Sequence, residues 1–411
     1  MSDLPRLRIL LVTRNLPPLV GGMERLNWHM ADELSRHAEV RIVGPAGSAA
    51  TTPAAVAVDE VPLRPLWKFL IHAQGRAWRT ARAWKPDVVL AGSGLTAPAA
   101  WLAARASGAR AAVYVHGLDL VVRHPVYRCL WRPALRHMDR VIANSRPTAA
   151  LAQGIGVKPG RIGIVCPGVD LPADATTRAR DATKTEEPFS TQAIDRKISV
   201  ADFRQHHGLG NRPLLLSVGR LSTRKGLREF VVEALPRIVA VYPDVLLLVV
   251  GDAPRDALHA QAQTPQSIQA AAEQMGVAKN LRFLGAVTDS QLDSAYRAAD
   301  VHVFPVRDIP GDPEGFGMVA VEAAAHGLPT VAFASGGVVD AVAEGESGYL
   351  IVGGDYAGFA HAVLRMLAET TLLRKSSEAF ARRFAWSEFG QKVAALLTLD
   401  GSTTAATGCS M

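Results

Sequence analysis

The sequence predicts an α/β protein built from two doubly wound, Rossmann-like domains, and three observations carry that prediction. Short aliphatic runs alternate with amphipathic stretches, the βαβ signature of a parallel sheet covered on both faces. The pattern stops near residue 170 and starts afresh near residue 213. At 411 residues the chain is also too long for one ordinary core.

In order, "RILLV" (8–12), "VRIVG" (40–44), "DVVLAG" (87–92), "AAVYVHG" (111–117), "RVIANS" (140–145) and "RIGIVCPG" (161–168) read as buried strands of a first domain, 1–170. Residues 171–212 lose this periodicity. Their polar, aliphatic-poor stretch "LPADATTRARDATKTEEPFSTQ" reads as a flexible linker or insertion, and "VADFRQHHGLG" as a short helix leading out of it. A second domain, 213–385, follows with "PLLLSVG" (213–219), "VLLLVVG" (245–251), "LRFLG" (281–285), "VHVFP" (301–305) and "TVAFA" (330–334). A last helix is expected over 386–400, and the terminal "STTAATGCSM" reads as disordered.

With 48% apolar and 20% charged residues, the composition is that of a soluble globular protein. The N-terminal stretch holds only a four-residue apolar run before Arg14, which argues against a signal peptide. No apolar run is long enough to span a bilayer. Cys129, Cys166 and Cys409 lack metal-like spacing, so the expected location is a reducing cytoplasm. The net charge of +7 is unevenly spread: residues 1–170 carry 22 Lys and Arg against 11 Asp and Glu, leaving the remainder net acidic. The first half therefore calls for an anionic surface or ligand.

Ligands of open α/β sheets bind beyond the carboxyl ends of strands, so the residues that follow each strand are the candidates. After the first strand, Gly21 and Gly22 open a helix whose free N–H groups suit an anion. His116 ends the strand "AVYVHG", with Asp119 near enough to orient it. After "SVG", Arg220 and Lys225 flank a turn at the start of the next helix. Cations there oppose the macrodipole unless a multiply charged anion, such as a diphosphate, lies between them. A solvated charged turn would carry the same residues.

The stretch "EGFGMVAVE" places Glu314 and Glu322 eight positions apart around a Gly-Phe-Gly turn. A helix from about Phe316 would set the two carboxylates about 80° apart around its axis, with Glu314 at the tip and Glu322 further along. Gly315 and Gly317 permit close approach to the backbone. The N–H groups of Phe316, Gly317, Met318 and Val319 are those that a first helical turn leaves unpaired. One elongated ligand could then meet both carboxylates, which accept paired sugar hydroxyls; a solvent-facing Glu322 is the plainer reading.

These residues resemble the retaining glycosyltransferases of family 4. The match rests on "GR-x4-KG", "EGFG-x4-E", the "GGMERL" loop and the strand-end His-Gly, and it covers about residues 6–170 and 205–398. The stretch 304–337 is close to the subgroup similar to phosphatidylinositol mannosyltransferases. The resemblance implies the GT-B fold, two such domains facing a central crevice, with the C-terminal helix crossing back onto the first domain and lobe closure assembling the site. It implies Arg220 and Lys225 on the donor diphosphate, Glu322 on the ribose, and Glu314 with the Phe316–Val319 backbone on the donor sugar. Gly22 would let the first loop close over the phosphates. His116 would contact the sugar or the incoming acceptor hydroxyl, and Gly251, Asp252 and Phe283 to Gly285 would border the base. No metal is expected, because the Arg/Lys pair does a divalent ion's work. GDP-mannose is the favoured donor, with UDP-glucose and related donors behind it. A departure is the 171–212 segment, longer than a usual linker.

The basic half then suits a lipid surface. Arg64, Lys68, Arg76, Arg79, Arg82 and Lys85 are interleaved with Trp67, Phe69, Trp78 and Trp84 and with no acid. Arg128, Arg132, Arg136 and Arg140 recur at i, i+4 beside Tyr127 and Trp131. Basic helices bearing Trp can lie on anionic membranes, which points to peripheral attachment on the inner face of the cytoplasmic membrane and a lipid-linked or glycan acceptor. Solvated helix faces over core tryptophans would show the same pattern. No nucleic-acid recognition motif accompanies the charge. Two other classes stand beside the transferase reading: a sugar-nucleotide 2-epimerase of the same fold, and a non-catalytic nucleotide-sugar or lipid-binding module.

Overall fold

The computed structural model describes residues 6–172, 198–253, 263–369 and 373–398. These form two compact units. One holds 6–168 together with 385–398; the other holds 169–172 and the described residues from 198 to 384. Most of the polar 171–212 stretch and the "STTAATGCSM" tail lie outside the described residues.

The first unit is a seven-stranded, all-parallel sheet: β1 (Leu7–Val12), β2 (Ala38–Pro45), β3 (Ala57–Val61), β4 (Val88–Ala91), β5 (Arg110–Val115), β6 (Arg140–Ala143) and β7 (Ile162–Ile164). Their order is β3-β2-β1-β4-β5-β6-β7. Chain direction reverses its progress between β1 and β4, which makes their carboxyl ends the topological switch point. The central strands are aliphatic on both faces because helices cover both; Leu10, Val12, Val89 and Val113 are fully buried.

The second unit repeats the plan with six parallel strands: β8 (Leu214–Val218), β9 (Leu246–Val250), β10 (Leu281–Gly285), β11 (Val301–Phe304), β12 (Thr330–Phe333) and β13 (Gly348–Ile351). Their order is β10-β9-β8-β11-β12-β13, so the switch point lies between β8 and β11. The strands that bring Arg220 and Glu314 toward the site are thus neighbours in space.

All eleven strands read from the aliphatic runs are present. The two unread ones, β3 and β13, are the outer strands of their sheets. "AVDEV" and "GYLI" are half-solvated at an edge, so neither needs a continuous apolar run. The helix Trp386–Thr398 packs against helix Gly22–Ser35 within the first unit. Trp386 stacks on His29 with ring centroids 3.9 Å apart, and Phe389 meets Tyr114 edge-on at 5.9 Å. Two glycines admit this helix: a Cβ on Gly168 would lie 2.3 Å from the Trp386 ring, and one on Gly390 would lie 2.4 Å from Glu33 Cβ.

Candidate active site

The second unit gathers its site from the loops after β8, β9 and β11. Strand β8 runs out through Gly219, whose φ of +134° is open to glycine. Arg220 follows, exposed and without a hydrogen bond among the described residues. The chain then makes one 3₁₀ turn, Thr223–Lys225. Gly226, at φ +68° and with Pro305 O 2.1 Å from where a Cβ would sit, lets this turn press against the loop after β11.

Across that contact, Lys225 Nζ donates to Glu314 Oε2 at 2.8 Å. The ammonium also lies 4.6 Å from the centroid of the Phe304 ring, whose face attracts cations. Both side chains are largely buried, at 17% and 10% exposure. Burial holds the Lys225 ammonium below the usual lysine range, against the pull of Glu314. For Glu314 burial acts upward, but Lys225, Arg224 and Arg220 outweigh it and leave the carboxyl below its ordinary value. Arg220 acts electrostatically on both members of the pair. The structure thus brings Lys225 and Glu314 into contact, with Arg220 near enough to act on both.

Arg224 was not among the residues the sequence singled out. Its Nη1 donates to Asp312 Oδ1 at 2.7 Å and to Pro313 O at 3.0 Å. Its Nε lies 3.3 Å from Glu314 Oε2, an ion-pair distance without hydrogen-bond alignment. Its own carbonyl accepts from Arg307 N at 2.8 Å. One side chain therefore ties the 3₁₀ turn to the loop that carries Glu314. A second glycine pair, Gly336 and Gly337, supports that loop from below. Gly337 N donates to Glu314 O at 2.8 Å, and a Cβ on Gly337 would lie 2.0 Å from Gly315 O.

Two details of "EGFGMVAVE" differ from the sequence expectation. The helix begins at Met318, two residues later than expected, because Gly317 sits at φ +100° as its N-cap. Glu314 is therefore a loop residue, and the 80° helical angle between the carboxylates does not apply. Phe316 is buried at 3% exposure against Phe384, so its side chain belongs to the core and only its backbone is left for the role expected of it. The N–H groups of Phe316, Gly317, Met318 and Val319 donate to no backbone oxygen among the described residues; Gly317 to Val319 are donors that a helix start leaves unpaired, and Phe316 precedes them. Glu322 is half-buried, and Tyr296 Oη donates to its Oε2 at 3.2 Å.

Gly251 closes β9 at φ +120°, where a Cβ would lie 2.1 Å from Gly219 O, so the ends of β8 and β9 touch. Asp252 O accepts from Leu221 N at 3.0 Å, which fixes the loop beside Arg220.

In the first unit, His116 follows β5. Its Nε2 lies 3.0 Å from Gly92 O; a carbonyl only accepts, so Nε2 carries the proton and a neutral ring keeps its lone pair on Nδ1. Asp119 does not orient the ring, contrary to expectation. Its Oδ2 accepts from the backbone N–H groups of His116 and Gly94, each at 3.1 Å, and so shapes the loop. Gly22 begins the helix as expected. A Cβ on its neighbour Gly21 would meet Glu24 Oε2 at 2.6 Å, while Glu24 Oε1 accepts from Asn15 Nδ2 at 2.8 Å.

The basic stretches divide between core and surface. In helix Leu66–Trp84, Phe69 is fully buried, whereas Trp67, Ile71 and Trp78 are 59%, 63% and 41% exposed. Arg64, Lys68, Arg76, Arg79 and Arg82 are all exposed. Helix Pro125–His137 exposes Val126, Leu130, Arg128 and Arg136, while Arg132 is half-buried. Tyr127 and Trp131 stack and turn inward, Trp131 Nε1 donating to Leu95 O at 2.8 Å. Arg140 does not continue the arginine row: the helix ends at His137 and Arg140 is buried in β6. Both helices pack on helix Ala97–Ser107, which exposes Leu102. No helix among the described residues is long and apolar enough to cross a membrane.

Known proteins agree with this architecture. Residues 199–383 match the family described as glycosyl transferases group 1, and residues 20–172 match glycosyltransferase family 4. A D-inositol 3-phosphate glycosyltransferase of Streptomyces coelicolor is 30% identical over 94% of this chain and 87% of its own length. A GDP-mannose-dependent alpha-(1-6)-phosphatidylinositol monomannoside mannosyltransferase of Mycolicibacterium smegmatis is 29% identical over 88% of this chain and 89% of its own. The match to a D-inositol 3-phosphate glycosyltransferase of Geodermatophilus obscurus, at 34% identity, takes in 65% of this chain and about half of that relative, 54%. Among solved structures, sucrose-phosphate synthase of Thermosynechococcus elongatus (TM-score 0.72, 20% identity, 95% of this chain and 98% of that one) shares the fold. So does Anabaena HepE in complex with UDP-glucose (TM-score 0.70, 20% identity, 95% and 99%). With its two parallel-sheet Rossmann-like units, its GT-B neighbours and relatives along nearly its whole length, the chain belongs to the family 4 glycosyltransferases.

Proposed function

We propose that the protein is a retaining hexosyltransferase that moves mannose from GDP-mannose to a lipid-linked or glycan acceptor in cell-envelope glycolipid or polysaccharide synthesis. The observation that carries this reading is the Lys225–Glu314 contact, with Arg220 beside it. A buried carboxylate and two cations at one strand switch point suit a sugar joined to a diphosphate. Arg220 and Lys225 hold the diphosphate and stabilise the charge that grows on it as the glycosidic bond breaks. Glu314 accepts from sugar hydroxyls, the Phe316–Val319 N–H groups line the same turn, and Glu322 accepts from the ribose. Gly251 and Asp252 border the base, and Gly21 and Gly22 form the phosphate-closing loop of the first unit. His116 contacts the sugar or the acceptor hydroxyl, which its Nδ1 lone pair can accept.

GDP-mannose leads because a relative named for that donor aligns along 88% of this chain. A UDP-sugar transferase is the alternative. The reaction runs without a metal, since the cations already neutralise the leaving diphosphate. We place the enzyme at the cytoplasmic face of an anionic membrane. The exposed Trp67, Ile71 and Trp78 amid Arg64, Lys68, Arg76, Arg79 and Arg82 support this, as do Arg128, Arg132 and Arg136 along helix Pro125–His137. A thermal-shift screen over nucleotide sugars in EDTA tests the donor assignment. GDP-mannose should raise the melting temperature more than UDP-glucose does; the reverse order would transfer the assignment to UDP-sugars.

A further inference from the structure

The carboxylate assigned to the ribose sits on helix Met318–Ala325, whose other residues are almost all Ala and Val. The neighbouring helix Asp289–Ala298 supplies a hydrogen-bond donor to that carboxylate. Tyr296 is 1% exposed, and its hydroxyl lies 3.2 Å from Glu322 Oε2. A phenol at that distance donates to a carboxylate, and a carboxylate has about four lone-pair sites. The bond therefore holds one oxygen of the carboxylate, a single site of that capacity.

The tyrosine ring is itself clamped. It stacks on His326 with centroids 5.0 Å apart and planes 19° from parallel, and it meets His302 edge-on at 6.4 Å. His326 is held at both ring nitrogens, Nδ1 at 2.8 Å from Glu322 O and Nε2 at 2.9 Å from Asp293 Oδ1. Burial raises the Asp293 carboxyl, but the hydrogen bonds from His326 and Arg297 outweigh it and leave it well below the usual carboxylate range. The chain Asp293–His326–Tyr296–Glu322 thus crosses between two helices and returns to the helix on which it acts.

We infer that Tyr296, braced by the Asp293–His326 pair, is a positioning residue that presets the Glu322 carboxylate for the vicinal hydroxyls of a ribonucleotide. The inference rests on the ribose role proposed for Glu322. Its consequence is a sugar-ring preference: a carboxylate held in one rotamer discriminates a ribose from a deoxyribose more sharply than one free to rotate.

Calorimetric titration of GDP, UDP and their 2′-deoxy counterparts tests it, because the ribo-to-deoxy affinity ratio is insensitive to a general loosening of the fold. Wild type should favour the ribonucleotides. Tyr296→Phe, which keeps the ring and removes the donor, should cut that ratio roughly five- to tenfold while leaving deoxynucleotide affinity unchanged. His326→Gln should lower the ratio in the same direction by less, and it decides the matter should Tyr296→Phe fail to fold. Glu322→Ala should abolish the preference. A wild-type ratio in both Tyr296→Phe and His326→Gln, with the ratio lost in Glu322→Ala, overturns the positioning role alone. A wild-type ratio in Glu322→Ala overturns the ribose reading, and the inference falls with it.

Discussion

Lys225 Nζ and Glu314 Oε2 lie 2.8 Å apart, although 89 residues separate them in the chain. Removing either partner leaves the other as a poorly compensated charge in a largely buried position. Lys225→Ala and Glu314→Ala are each expected to lower kcat at least about 100-fold, the scale of lost electrostatic stabilisation of a leaving group. The two should also be coupled: the double variant should cost less than the sum of the singles by about 1–3 kcal/mol. Steady-state nucleotide release from all four proteins measures this, and additive losses would show that the contact has no functional meaning.

Arg224 joins the 3₁₀ turn to the Glu314 loop through Asp312 and Pro313. Arg224→Ala should reduce kcat about tenfold by letting that loop drift, and should destabilise the fold by about 1–3 kcal/mol through the acceptors it strands. Arg224→Lys should rescue little, since an ammonium cannot span Asp312, Pro313 and Glu314 as a guanidinium fork does. Urea unfolding combined with kinetics separates the two effects.

His302 lies in β11, fully buried, with Nδ1 3.0 Å from Thr330 Oγ1. Burial, aided by the Lys225 charge, pushes its imidazole down to about 3. In the unfolded chain the ring titrates near about 6.5. Between those values the unfolded state binds the extra proton, so folding stability is whole above about 6.5 and is lost as pH falls toward 3. His302→Asn should be less stable at neutral pH yet show a shallower loss across that window. Urea midpoints measured against pH check it; an unchanged slope would remove His302 from the account.

Membrane attachment predicts salt-sensitive binding. The protein should float with vesicles containing phosphatidylglycerol at low ionic strength and release as salt rises. Trp67→Ala with Ile71→Ala should weaken flotation through lost apolar insertion, with turnover on a soluble acceptor unchanged. Absence of binding at low salt would sink the membrane part of the proposal.

Much of this was legible in the sequence because it depends on local rules. Strands buried on both faces announce themselves as aliphatic runs; β3 and β13, solvated at sheet edges, do not. Arg220 and Lys225 follow a strand end, where their positions suggest convergence, and the family resemblance adds Glu314 to them. Relations that arise only in three dimensions stayed hidden. Nothing local shows that Arg224 reaches Asp312, 88 positions on, or that Tyr296 meets Glu322 from another helix. Spacing also misled: the i, i+4 row from Arg128 ran past a helix end to Arg140, and the Glu314–Glu322 spacing ran across Gly317, whose positive φ starts the helix late.

The central claim is that Arg220, Lys225 and Glu314 form a metal-free site for a nucleoside diphosphate and its sugar. Calorimetric titration of GDP-mannose into wild type and Lys225→Ala, both in EDTA, tests it most directly. One molecule should bind per chain of wild type without added metal, and the affinity should fall at least about tenfold in Lys225→Ala. Binding that needs a divalent ion, or that Lys225→Ala leaves intact, would contradict the account.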